Sequence, residues 1–214
     1  MKKLLALGDS FTYGQELVNQ TDAYPYLVGA HYGYEVTNLA LPGSGNTRVV
    51  RELFTHGIEY DAVIIGWSHF ARVEFADELG VYDIWPGCAN NRVAFDGKVQ
   101  HRRDLIHYIT AYHNDLYALR QHLVNVIATQ SYCKVNKISL VMVDAFGNNI
   151  FYRKYKDKIV DLTNQVDIVT YAGWPNQTLN EWAKETERGP HGHFLERGHR
   201  VVADNIIKFS DGLL

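Results

Sequence analysis

At 214 residues, with 46% hydrophobic and 21% charged side chains, the chain has single-domain size and enough apolar surface for a substantial core. A formal net charge of -3 gives no electrostatic ground for a nucleic-acid partner. Cys88 and Cys133 stand far apart without CxxC spacing, so neither a disulfide framework nor a cysteine-held metal is expected.

The first element is a strand over Lys3–Leu7, an apolar run that stops at Gly8-Asp9. That run is too short for a signal peptide or a membrane span, which gives an expectation of a cytoplasmic protein without a membrane partner. Further short apolar runs end in polar or glycine-rich loops and predict strands over Glu35–Leu39, Ala62–Ile65 and Ile138–Val143. Between the last two, Gly80–Gly97, with Pro86, Gly87, Asn90 and Asn91, reads as a long insertion loop. A helix is expected over Asp104–Asn136, where Leu105, Ile109, Tyr112, Leu116, Leu119, Leu123, Val126 and Ile127 recur at helical spacing. Lys154, Lys156 and Lys158 alternate with tyrosine and aspartate and read as a solvated face. A last amphipathic helix is expected over Glu196–Phe209, through Val201, Val202, Ile206 and Ile207. Strands alternating with helices predict one α/β domain over residues 1–214, a three-layer α/β/α sandwich with a mainly parallel central sheet. In such a sheet the functional loops follow the carboxyl ends of the strands.

Gly8-Asp9-Ser10 puts a hydroxyl nucleophile where the first strand turns into a helix, with neighbouring amides able to stabilise an oxyanion. The same tripeptide also suits a plain helix N-cap. The order of motifs across the whole chain resembles the SGNH (GDSL-like) hydrolases, whose flavodoxin-like fold and serine chemistry the resemblance therefore implies. Asn38-Leu39-Ala40-Leu41-Pro42-Gly43-Ser44-Gly45-Asn46 is similar to the second family motif and implies a Gly43 amide in the oxyanion hole, beside that of Ser10. Gly66-Trp67-Ser68 stands where the family has Gly-x-Asn, so Ser68, with one proton to donate, replaces an asparagine amide; His69 is next to it and available to assist. In Gly189-Pro190-His191-Gly192-His193, similar to the family's Asp-x-x-His block, His193 takes the histidine position, but Pro190, His191 and Gly192 stand where the aspartate would be. A Ser10–His193 dyad is the resulting expectation, a neutral imidazole with an ordinary pKa of about 6.5 being suited to take the serine proton near neutral pH. Asp9, Asp144 and Glu196 are candidates for a distant acid partner.

A tighter resemblance, to SGNH-like proteins of tailed bacteriophages, rests on Gly66-Trp67-Ser68, Arg72-Val73-Glu74-Phe75, Tyr82–Gly87, Gly173–Asn176 and Gly189–Glu196. It implies action inside an infected host cell. Trp67, His69 and Arg72 are candidate substrate-binding residues, with Trp67, Trp85 and Trp174 either a sugar-stacking wall or covers of the core, and Arg72 and Glu74 either a substrate contact or an ion pair. His191, His193 and His199 have no carboxylate or cysteine at ligand spacing, so no metal or cofactor is expected. The leading expectation is an esterase removing small acyl groups from a carbohydrate or related small-molecule ester. The alternative is a non-catalytic binding or virion-associated module on the same fold.

Overall fold

The computed structural model describes residues 1–77, 80–84, 107 and 111–214; for 75–77 and 80–82 only the backbone is described. Residues 85–97 of the expected insertion loop, with Trp85 and Cys88, lie outside the described residues, as do Leu105 and Ile109.

Four parallel strands, β1 (Lys3–Gly8), β2 (Glu35–Asn38), β3 (Ala62–Trp67) and β6 (Ser139–Asp144), pair in the order β2-β1-β3-β6. Each falls within a residue or two of its expected span, because β-branched and leucine runs bounded by Gly, Asp or Asn leave little choice of phase. Alternate side chains go to opposite layers. Leu5, Leu7, Val63 and Ile65 join the core under α3 (Asn46–His56) and α4 (Asp115–Asn136), with Leu53, Leu119, Leu123 and Val126. Leu4, Ala62, Ile64, Val141 and Val143 join the opposite core under α2 (Tyr24–Tyr32) and α8 (Glu196–Phe209), with Val28, Val202 and Ile206. The two layers of core and their covering helices make the expected α/β/α sandwich.

The crossover after β1 runs through α2 on one face, and the crossover after β2 runs through α3 on the other. The chain therefore reverses direction across the sheet at β1 and β3, the switch point where open α/β sheets form a crevice beyond the strand ends. The register brings those ends level, with Gly8 opposite Gly66 and Trp67 opposite Asp144. Beyond β6, Ala172 donates to the Met142 carbonyl and single parallel bridges join Met142 to Tyr171 and Asp144 to Thr178, the trace of a fifth edge strand.

Three expectations change. The helix expected over Asp104–Asn136 starts at Asp115, after residues 113–114 outside any helix, and Tyr112 is exposed instead of joining its buried stripe. Gly80–Ile84 is not loop but β5, paired antiparallel with β4 (Val73–Asp77) in a separate two-stranded ribbon, Phe75 opposite Tyr82. Arg72 and Glu74 do not pair with each other: the Glu74 carboxylate accepts from Arg51 in α3, at 3.2 and 3.1 Å, and Arg72 turns inward to Asp9.

Candidate active site

Ser10 opens α1 (Ser10–Tyr13), a single turn directly after β1. Asp9 caps it, its Oδ1 accepting from the Phe11 amide at 3.0 Å, while Oδ2 accepts from Arg72 Nη1 at 3.2 Å. Burial of Asp9 raises its pKa, against the opposing pull of Arg72 and the Phe11 amide. Gly14 ends the turn in the left-handed conformation, φ 85°, and Thr12 Oγ1 shares a 2.8 Å hydrogen bond with Tyr24 Oη. Gly66 is required here for space: a Cβ would lie 2.2 Å from Thr12 Oγ1. The serine therefore sits on a turn fixed by both neighbouring strands.

The loop carrying Gly43 is tied to the same place. Asn38 Nδ2 donates to the Thr12 carbonyl, and the Leu41 amide donates to that of Gly8. The Ser44 amide, rather than that of Gly43, closes the turn onto Leu41. Gly43 has φ 87° and open space where a Cβ would be.

His193 is held by a residue that local sequence reasoning did not find. Its Nδ1 is 2.8 Å from Glu16 Oε2, across 177 positions of sequence. The same carboxylate accepts from the His191 amide at 2.9 Å and the His193 amide at 3.0 Å. Burial works to raise the Glu16 pKa, but these three hydrogen bonds and the imidazole outweigh it and hold the carboxyl below its ordinary value. An ionised Glu16 only accepts, so His193 carries its proton on Nδ1 and Nε2 is left as the basic nitrogen. Phe11, the residue after the serine, packs on the His193 ring with centroids 5.2 Å apart, and on Phe146 and Phe194. Glu16 itself has φ 75°, a left-handed backbone that costs a non-glycine residue about 1–2 kcal/mol. The acid beside His193 is thus Glu16, and none of the three candidates. Asp9 belongs to Arg72 and the α1 cap. Asp144 accepts from Tyr171 Oη at 3.0 Å and Asn148 Nδ2 at 2.8 Å. Glu196 lies in the first turn of α8.

The other expected site residues separate. Ser68 has no exposed surface. Its hydroxyl lies against the Asp9 carboxyl without full hydrogen-bond geometry, its amide donates to Asn46 Oδ1, and its carbonyl accepts from Asn46 and Asn148. A substrate oxygen needs the access that water is denied there, so Ser68 braces the site from beneath instead of facing an oxyanion. Trp67 is fully buried, edge-on to the His122 ring, and presents no face for a sugar. Trp174 stacks obliquely on Tyr152 and Tyr171 as a cover of the core. His69 is partly buried against Phe70 and Phe151, and its pKa is lowered to about 4 by burial and by Arg72. It is a neutral ring near neutral pH. Arg72 keeps a place near the serine: it contacts Asp9, lies over the Phe146 ring and lines a cavity of about 290 Å³ with Asn46, Phe70, Tyr117 and His122. His199 is 1% exposed; its Nδ1 accepts from the Tyr24 amide and burial lowers its pKa to about 4. Among the described residues no group of three or more His, Cys, Asp or Glu side chains is arranged to hold a metal ion. No described helix is long and apolar enough to cross a membrane.

Behind the site, Asn46 Nδ2 donates to His122 Nδ1 at 3.0 Å, which leaves Nε2–H to donate to Tyr152 Oη at 3.0 Å. Burial drives the His122 pKa down to about 3 and that of Asp144 up to about 7. No local motif announces this network, because its members come from four separate segments.

No protein-family model matches the chain, and no curated protein sequence does. Solved structures do. TesA superposes with a TM-score of 0.58 at 13% identity, over 100% of both chains. A member of the lipolytic protein G-D-S-L family from Veillonella parvula DSM 2008 gives 0.51 at 14%, over 97% of each. A family two carbohydrate esterase from Clostridium thermocellum, in complex with cellohexaose, gives 0.54 at 15%, over 100% of this chain and 65% of that one. At such identities the likeness is one of architecture: the chain has the fold of the G-D-S-L, or SGNH, hydrolases.

Proposed function

We propose that the chain is a serine acylhydrolase that removes small acyl groups from a carbohydrate or related ester. One observation carries the reading: a serine fixed at the switch point of the sheet, on the same short segment as the carboxylate that orients His193. Ser10 Oγ attacks the ester carbonyl carbon while His193 Nε2 takes its proton. The oxyanion is held by the Ser10 and Gly43 amides. Collapse of the tetrahedral intermediate breaks the bond to the alcohol, which leaves with the proton from Nε2. Water then gives a proton to Nε2 and attacks the acyl-serine, and the acid is released as Ser10 recovers its proton.

The carbohydrate side of the proposal draws on the architecture shared with the cellohexaose-bound esterase. The motif set similar to that of tailed-phage proteins adds a setting inside an infected host cell. The test is hydrolysis of p-nitrophenyl acetate and of acetylated oligosaccharides by wild type and Ser10→Ala. Turnover that disappears with Ser10→Ala is the expected result; turnover equal in both, or none in wild type, favours the non-catalytic module.

A further inference from the structure

We infer that Glu16 is the acid member of a catalytic triad, supplied from the segment after α1 in place of the aspartate absent upstream of His193. The inference rests on the acylhydrolase reading and deepens it. Three independent features of the fold converge on this carboxylate. It receives both backbone amides flanking Gly192 as well as the ring Nδ1, so it fixes the imidazole and the loop that carries it together. It sits on a non-glycine residue in left-handed backbone, a conformation retained against its cost. The facing Gly189 leaves room for it, since a Cβ there would lie 2.6 Å from Glu16 Cδ. The loop is closed behind it by hydrogen bonds from the Gly189 amide to the His193 carbonyl and from the Gly192 amide to that of Gly189.

Chemically, Glu16 acts through His193. It selects the tautomer with the proton on Nδ1 and stabilises the imidazolium that forms when Ser10 loses its proton; the proton itself stays on the ring. Because Glu16 is only six positions after Ser10, one short segment carries both the nucleophile and the group that aims its base. An aspartate in the histidine's own loop is then unnecessary.

The test compares wild type, Glu16→Gln and Glu16→Asp by steady-state hydrolysis of p-nitrophenyl acetate and by NMR of the His193 ring. Loss of the charge is expected to lower kcat by about a hundredfold or more with KM changed by less than about threefold. It is also expected to remove the low-field Nδ1–H resonance, while Glu16→Asp restores part of both. Turnover within about threefold of wild type with the ring resonance unchanged in Glu16→Gln overturns the inference. If wild type itself lacks turnover, the acylhydrolase reading falls; the resonance then decides Glu16 alone, its presence in wild type and loss in Glu16→Gln upholding the positioning and its persistence refuting it. Should Glu16→Gln fail to fold, the ring of wild type decides: a low-field Nδ1–H resonance that is lost on protonating Glu16 at acid pH upholds the inference, and its absence overturns it.

Discussion

Gly189→Ala strains the contact between the histidine loop and Glu16. The added Cβ would lie 2.6, 2.7 and 2.8 Å from Glu16 Cδ, Oε1 and Oε2, where ordinary contact begins at 3.4 Å. The backbone at Gly189 is not left-handed, so alanine is strained by space and not by conformation. A free glutamate would swing aside at little cost. This one is held by three hydrogen bonds, one exposed and two part-buried, and displacing it forfeits charge-assisted bonds worth at most about 1.5–3 kcal/mol each. Partial solvation reduces that sum, and a net loss of about 2 kcal/mol is expected, in line with overpacking costs of about 1–3 kcal/mol. For a domain of this size that corresponds to a fall in Tm of about 4–8 °C. The assay is urea unfolding of wild type, Gly189→Ala, Glu16→Ala and the double variant. Removing the carboxyl removes the overlap, so Gly189→Ala should cost less than about 0.5 kcal/mol on the Glu16→Ala background. An equal cost on both backgrounds would refute the reasoning.

Glu16 also sets a pH dependence. Its folded pKa lies below the ordinary 4.5, so its stabilisation is complete above that value and is lost as pH falls through the lowered one. The stability gap between wild type and Glu16→Gln should close as pH falls through the lowered value, as chemical denaturation at a series of acidic pH values would read. Asp144 works in the opposite sense. Burial raises its pKa to about 7 despite donation from Asn148 and Tyr171, so ionisation disfavours the folded state increasingly from about pH 4 to pH 7. Asp144→Asn, measured as a difference from wild type to cancel the titration of His122, should gain relative stability across that window; a flat difference contradicts the raised value. Leu53→Ala, at a fully buried position under the sheet, should cost about 2–5 kcal/mol in the same denaturation assay.

The sheet was legible because its strands are short apolar runs with polar ends, and burial on both faces leaves one phase for each. The last helix was legible from the spacing of Val202 and Ile206, and the buried stripe of α4 from Leu119, Leu123 and Val126. The β4–β5 ribbon was not, since its strands are joined without the Asn-Gly or Asp-Gly that marks a tight hairpin. Ser10 was legible from its position after β1. The acid beside His193 was expected just upstream of it or among Asp9, Asp144 and Glu196, whereas pairing with Glu16 depends on the path of α1 and on a left-handed glutamate that no residue preference announces. Ser68 was a candidate for the oxyanion hole on motif position, and Trp67 either for substrate or for the core; the all-buried pattern of β3, which runs on through Trp67, turns both inward.

We propose above all that Ser10 is a nucleophile activated by His193. Intact-mass analysis after exposure to a fluorophosphonate, with peptide mapping of the adduct, tests it most directly. The account predicts one phosphonyl group on Ser10 of wild type, much slower labelling of Glu16→Gln and none of Ser10→Ala. An unlabelled wild type, or an adduct that persists in Ser10→Ala, would contradict it.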